Sequence, residues 1–287
     1  MHESMKPGIV KKPDSGLRAR IITALILAPI AICGVIYLPS IYFALILGLL
    51  ICYGMWEWTR IIGLASVFAR ALVVGVNAAI MGALLLADRV DALQFAAWVG
   101  VVWWCIALLW LRGAGFGADP SVRNLLIKIL VGSAMMIPAW AAGWLLHRSG
   151  ISGPWWTLFV LMFIWAADIG AYFTGRRFGR VKLAPRISPG KTREGVYGAL
   201  ACALLFAATA GYVLPTVPVA NPWLIGLVMV TVIFSIVGDL FESLIKRQSQ
   251  LKDSGSLLPG HGGMLDRIDS LLAALPIFVC GRYLIGL

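Results

Sequence analysis

The chain has 287 residues, of which 60% are hydrophobic and only 13% charged. Soluble domains are about 45–50% apolar and about 25% charged, so this chain has too few charges to coat a body in water. Its net charge of +11 lies between apolar runs, which excludes nucleic acid as a partner and directs the basic residues toward lipid headgroups or anionic substrates. The five cysteines (Cys33, Cys52, Cys105, Cys202 and Cys280) all lie inside apolar runs, without a CxxC pair or a histidine at ligand spacing. They read as small core residues, and neither a disulfide framework nor a zinc site is implied.

The first 20 residues are polar and basic and form a cytoplasmic tail. The apolar run that follows lacks a small-residue cleavage site and reads as a first membrane helix. A helix needs about 20 apolar residues to cross the hydrocarbon core. Nine stretches qualify: 21–38, 41–58, 71–87, 93–111, 125–146, 155–174, 196–214, 223–242 and 270–287. Turn and charge signals separate them, among them Leu38-Pro39-Ser40, Asp88-Arg89 and Asn221-Pro222. Backbone groups in lipid must be satisfied within the segment, so the spans are expected to be helices and the fold all-α, a polytopic integral membrane protein.

Lysine and arginine set the orientation. With nine spans, 20 of the 24 fall on the side of the N-terminus, whereas only Arg89 and Arg148 fall in loops on the other side. The N-terminus is therefore expected in the cytoplasm and the C-terminus on the far side, with the chain in the cell membrane. Residues 21–147 form N-terminal membrane helices that show only hydrophobicity. Residues 148–287 form a C-terminal region carrying two long cytoplasmic loops, 175–195 and 243–269, rich in Gly, Lys, Arg, Ser and Pro.

The acidic residues are placed informatively. Ionisable groups at membrane depth are costly and are functional candidates by default. Asp168 lies in the sixth span. Asp239 and Glu242 close the eighth at i, i+3, and Asp266 and Asp269 open the ninth at the same spacing, so each pair shares a helix face. Carboxylates gathered at one depth repel unless a cation sits among them, and oxygen-only ligands suit Mg²⁺ with substrate phosphates. The same acids are also able to serve simply as partners of Lys246, Arg247 and Arg267, and at this stage both readings stand.

In the second loop, Gly260, Gly262 and Gly263 permit close backbone approach to an anion, within a ring of Lys246, Arg247, Lys252 and Arg267. His261 either contacts phosphate or base or braces the turn. In the first loop Gly190-Lys191-Thr192 imitates the end of a P-loop, but the pattern needs Gly where Pro185 stands and no strand is expected before it. Ser188, Lys191, Thr192 and Arg193 remain phosphate donors, unless the loop is basic only for topology.

The stretch Ser243 to Asp269 resembles the signature of the phosphatidate cytidylyltransferase family, S-x-x-K-R-x4-K-D-x-[GSA]-x2-[LIF]-[PG]-x-H-G-G-x-x-D-R-x-D. Ser243, Lys246, Arg247, Lys252, Asp253, Gly255, Leu258, Pro259, His261, Gly262, Gly263, Asp266, Arg267 and Asp269 fall on it. The segments Asp168-x-x-Ala171-Tyr172, 188–195 and 238–243 also look like the family. The resemblance implies a Mg²⁺-dependent transfer of the cytidylyl group of CTP to phosphatidic acid, giving CDP-diacylglycerol and pyrophosphate. It implies Asp168, Asp239, Asp266 and Asp269 as metal ligands, with a second cation nearby, and Asp239, Asp266, Lys246 and Arg267 as catalytic. It further implies Ser188, Lys191, Thr192, Arg193, Ser243, Arg247, Lys252, His261, Gly262 and Gly263 around the substrates. Rival readings are a CTP-using enzyme acting on another lipid and a secondary transporter. A CDP-alcohol phosphotransferase is excluded, because its aspartate run opens with Asp-Gly and no Asp-Gly occurs here. A homodimer is left open.

Overall fold

The structure is a computed structural model that describes residues 15–214, 217–218, 220–255, 257 and 262–287. Among these residues the chain order is α1 (Ser15–Tyr37), α2 (Ser40–Ile61), α3 (Val67–Ala87), α4 (Val90–Trp110), α5 (Val122–His147), α6 (Gly153–Phe178), β1 (Lys182–Ala184), β2 (Ser188–Thr192), α7 (Arg193–Thr209), α8 (Pro222–Gln248) and α9 (Leu265–Leu284). The all-α expectation holds, with one small addition. The first polar loop contains an antiparallel hairpin in which Lys182 pairs with Thr192 and Ala184 with Ser188.

Seven helices, α2 to α8, are long and apolar enough to cross a membrane. The apolar part of α1, Leu25–Tyr37, is shorter. Helix α9 has 20 residues and carries Asp266, Arg267, Asp269 and Arg282, so charge sets it apart from the seven. Two helices run further than hydropathy alone suggests. Helix α6 continues to Phe178 and α8 to Gln248, which puts Lys246 and Arg247 on helix rather than in loop. Intrahelical pairing supports the extension of α8, because Lys246 bonds Glu242 one turn back at 3.0 Å.

Large apolar side chains such as Leu49, Leu86, Phe95, Leu109 and Leu130 point outward from the bundle, as a lipid-facing surface requires. Inside, packing is tied by tryptophan. The indole of Trp58 on α2 donates to the Lys128 carbonyl on α5 at 2.9 Å, and Trp140 on α5 returns a bond to the Ala44 carbonyl on α2 at 2.8 Å. Trp104 on α4 donates to the Leu272 carbonyl on α9 at 2.9 Å. That carbonyl lies four residues before Pro276, which has no N–H to give it, so the indole satisfies a group the proline leaves open.

Two buried clusters result. One gathers Trp58, Trp104, Trp110 and Phe241; the other gathers Phe159, Phe163 and Phe278. Helices α8 and α9 contribute to both and pack along each other, as do α6 and α7. Phe241 meets Trp103, Trp104 and Trp110 edge-on at centroid distances of 5.5, 6.2 and 5.7 Å. Each such pair contributes about 0.5–1.5 kcal/mol beyond area burial. Locking Phe241 inward fixes the rotation of α8. Asp239, Glu242 and Lys246, on the face opposite Phe241 at helical spacing, are thereby turned toward α6, α7 and α9.

Candidate active site

Four helix ends and the hairpin meet at one end of the bundle: the C-terminal parts of α6 and α8, and the N-termini of α7 and α9. They enclose a cavity of about 450 Å³ lined by Asp168, Tyr172, Arg176, Lys191, Asp239 and Ser270, among others. This lies within the usual range for small-molecule sites, roughly 300–1,000 Å³.

The ionic groups form a connected series. Lys191, on β2, reaches Asp239 on α8 at 2.5 Å. The charges acting on Asp168 come from Asp239, Lys191 and Arg267. Asp269 adjoins Glu242 and faces Asp239 and Lys191. Further along, Lys246 bridges two acids, Glu242 at 3.0 Å and Asp266 at 2.5 Å, with all three side chains buried. Three charges in such a triad leave one negative charge over, and Oε1 of Glu242 meets no N–H or O–H donor group, only the neighbouring Asp269 carboxyl. A buried carboxylate oxygen without a donor is costly unless a cation or water reaches it.

Close backbone approach brings α8 and α9 together here. A Cβ on Gly238 would lie 2.6 Å from the Asp269 carbonyl oxygen, so only glycine fits. At the start of α9, Gly262 has φ +79° and a Cβ there would meet Asp266 Oδ2 at 2.6 Å. Asp266 accepts from the Gly263 N–H at 2.8 Å and the Ser254 N–H at 3.0 Å through Oδ2, while Lys246 takes Oδ1. Both of its oxygens are therefore engaged within the protein.

Several other expected site residues take specific structural positions. Thr192 is buried and caps α7 by accepting from the Gly195 N–H at 3.1 Å. Ser243 donates to Asp239 Oδ1 at 3.3 Å. Arg247 donates to the Ile187 carbonyl at 3.3 Å and the Leu251 carbonyl at 3.1 Å, which fastens the hairpin to the end of α8. Ser188 is half-buried on β2, and Arg193, Lys252 and Arg267 are exposed. His261 lies outside the described residues. The P-loop imitation is likewise resolved: Gly190-Lys191-Thr192 is itself strand β2, running straight into α7.

Sequence reasoning missed Glu57. This residue of α2 is 4% exposed. Its carboxylate accepts from Ser254 Oγ at 2.9 Å, the Met264 N–H at 3.1 Å and the Leu265 N–H at 2.7 Å. It thereby caps the first turn of α9 and holds the loop that presents Asp266, and a carboxylate at a helix N-terminus is favoured by the helix dipole as well. The signal was present in the sequence as an acid inside the apolar run Met55–Trp58. Arg176 was also passed over; it donates to the Tyr172 hydroxyl at 2.7 Å beside the cavity.

The cytidylyltransferase family matches residues 18–284. The chain belongs to this family. A protein of Pseudomonas aeruginosa named phosphatidate cytidylyltransferase is 42% identical over 268 residues, covering 91% of this chain and 95% of that protein. Proteins of the same name from Haemophilus influenzae and Brucella suis are 39% and 35% identical, each over 280 residues. The match to the cytidylyltransferase family takes in α2 and Glu57 as well as the polar loops, whereas the sequence signature covers only the last part of the chain.

The cytidylyltransferase chemistry implies a divalent cation, and the donor set bears on whether one fits. Among the described residues, no three His, Cys, Asp or Glu side chains already converge on a metal point. Asp168 and Asp239 nonetheless face one cavity from different helices, Asp269 faces Asp239, and the Glu242 carboxyl lies against that of Asp269. These are hard oxygen donors of the kind that fit a Mg²⁺-type ion. Asp266 would join them only by exchanging Lys246 for the ion.

Proposed function

We propose that this chain is a phosphatidate cytidylyltransferase, converting CTP and phosphatidic acid to CDP-diacylglycerol and pyrophosphate at the cytoplasmic face of the cell membrane. The observation that carries the reading is the 450 Å³ cavity in which acids from α6 and α8 face Lys191 and Arg176 at the end of a membrane bundle. Relatives bearing that name match over nearly the whole chain.

In this reading a phosphate oxygen of phosphatidic acid attacks the α-phosphorus of CTP. The new P–O bond forms as the bond from the α-phosphorus to the bridging oxygen breaks, and pyrophosphate leaves with that electron pair. The attacking phosphate is already anionic, so no strong base is required. Positioning and charge neutralisation carry the catalysis. Asp168, Asp239 and Asp269 would hold Mg²⁺, which when bound neutralises phosphate charge and polarises the phosphoryl group.

The chain's own groups do the rest. Lys191, released from Asp239 as substrate enters, contacts a phosphate of CTP, and Arg176 lies across the same cavity. Arg267, exposed near Asp168, serves the triphosphate or the lipid phosphate from the α9 side. Lys246 keeps Glu242 and Asp266 from repelling each other and so holds α8 and α9 in register. Ser188, Arg193 and Lys252 would meet the nucleotide as it arrives, while the diacyl tails stay in lipid against α6 and α7.

The test is pyrophosphate release from CTP by the purified protein in lipid vesicles. Release that requires both phosphatidic acid and Mg²⁺, with CDP-diacylglycerol as product, supports the reading. Turnover with an isoprenoid phosphate but not with phosphatidic acid would replace the proposed acceptor.

A further inference from the structure

A second cavity, of about 370 Å³, opens at the other end of the bundle, among the start of α4, the end of α5 and the last turns of α9. Asp269 and Arg282 lie on the same helix, about 20 Å apart at 1.5 Å rise per residue, so this cavity is separate from the catalytic one. Arg148, Arg282, Gln94 and Ser149 form its polar wall, and Leu145 and Val279 contribute apolar surface.

Both guanidinium groups lie over tryptophan rings. Arg148 lies 4.7 Å from the Trp144 centroid and Arg282 4.6 Å from that of Trp156. A guanidinium attracted to a ring in this way still has N–H donors with which to meet an oxyanion. The two arginines differ in what neutralises them. Arg148 pairs with Asp88 at 2.5 Å. Arg282 donates one bond, to Ser149 Oγ at 3.3 Å, and its buried Nε has no hydrogen-bond partner. Among the described residues no carboxylate lies within ion-pair distance of it. A guanidinium N–H taken out of water without an acceptor is costly, and an anion in the cavity would remove that cost.

The chemistry of the wall selects the ligand. A guanidinium with an unpartnered N–H, with serine and glutamine beside it, suits a phosphate group, which accepts from several donors at once. The adjoining apolar wall, which includes the exposed Tyr283, suits an acyl chain. We propose that this cavity binds the phosphate of an anionic phospholipid headgroup, a second lipid site remote from the catalytic cavity, with Arg282 as its principal donor.

The experiment uses the full-length protein and counts retained lipid by native mass spectrometry. The probes are phosphatidylglycerol, phosphatidylcholine and inorganic phosphate. The wild type should retain phosphatidylglycerol over phosphatidylcholine, and Arg282→Gln should lower that retention at least fivefold while keeping CTP turnover. Arg148→Gln, which leaves Arg282 in place, should lower it less. Equal retention in the wild type and Arg282→Gln would overturn the site, and inorganic phosphate displacing the lipid completely would overturn its lipid character. Should Arg282→Gln fail to fold, Arg282→Lys supplies the test. It keeps the charge but loses the planar fork, and retention at the wild-type level would overturn the assignment to a guanidinium edge.

Discussion

Glu57 accepts a hydrogen bond from the Leu265 N–H at 2.7 Å, across 208 positions of sequence. A helix of the featureless first half of the chain thus fixes the start of the helix that carries Asp266 and Asp269. Glu57→Ala would leave the Ser254 hydroxyl and the Met264 and Leu265 N–H groups without acceptors in a buried place, at about 1–3 kcal/mol for each unsatisfied group. The expected outcome is a clearly lower Tm in detergent and at least a tenfold fall in turnover per folded molecule. Glu57→Gln, which keeps one acceptor oxygen, should lie between. Thermal unfolding and CDP-diacylglycerol formation on the same preparations check both, and unaltered turnover in Glu57→Ala would remove the loop-holding role.

Asp239 and Asp266 occupy different surroundings, and their asparagine variants should fail differently. Asp239 is a third exposed and lines the cavity. Asp239→Asn should fold normally, lose about a hundredfold or more in rate, roughly 3 kcal/mol of transition-state stabilisation, and need more Mg²⁺ for half-maximal turnover. Asp266 is buried and bonded to Lys246, Gly263 and Ser254. Asp266→Asn should lose a similar factor in rate but also lower the Tm, because a buried triad is left with altered charge. Mg²⁺ titrations and melting curves on the two variants separate the roles. A stable Asp266→Asn protein with only its Mg²⁺ requirement changed would make Asp266 a direct ligand.

Lys191 stands 2.5 Å from Asp239 at the mouth of the cavity. If it transfers from the carboxylate to a phosphate of CTP, Lys191→Ala should raise the KM for CTP and lower kcat, together at least a hundredfold in kcat/KM. Lys191→Arg should recover part of this, since charge is kept and shape is not. Initial rates over a CTP series provide the check, and a KM unchanged in Lys191→Ala would assign the lysine to holding Asp239 alone.

The sequence carried the membrane class, the helical fold and the acid positions, because hydrophobic length and isolated charges are local signals. Asp168, Lys191 and Asp239 line one cavity, a grouping that the family resemblance implied and that no local spacing displays. The hairpin was invisible, since Ser188–Thr192 contains proline and glycine and lacks a strand's alternation. The ends of α6 and α8 were placed too early, because hydropathy stops where charge begins while the helix continues through paired side chains such as Glu242 and Lys246. Glu57 was marked only as an acid in an apolar run, and two of its three partners are backbone N–H groups, which no residue pattern displays.

Gly238 tests whether the α8–α9 spacing matters to chemistry as well as stability. Its Cβ would lie 2.6 Å from the Asp269 carbonyl oxygen and 3.1 Å from Ala273 Cβ. Backbone on the far side cannot swing away, so Gly238→Ala must part the helices at the level of Asp239 and Asp269. The cost should be about 1–3 kcal/mol, and the carboxylates facing the cavity should lose their relative placement. Gly226, on the same helix, has open space around its Cβ position, and alanine there should be neutral or stabilising by up to about 1 kcal/mol through helix propensity. Turnover should therefore fall at least tenfold in Gly238→Ala and stay at the wild-type level in Gly226→Ala, measured beside their melting temperatures. A Gly238→Ala protein that melts lower yet turns over normally would mean that α8 and α9 are pressed together for packing alone.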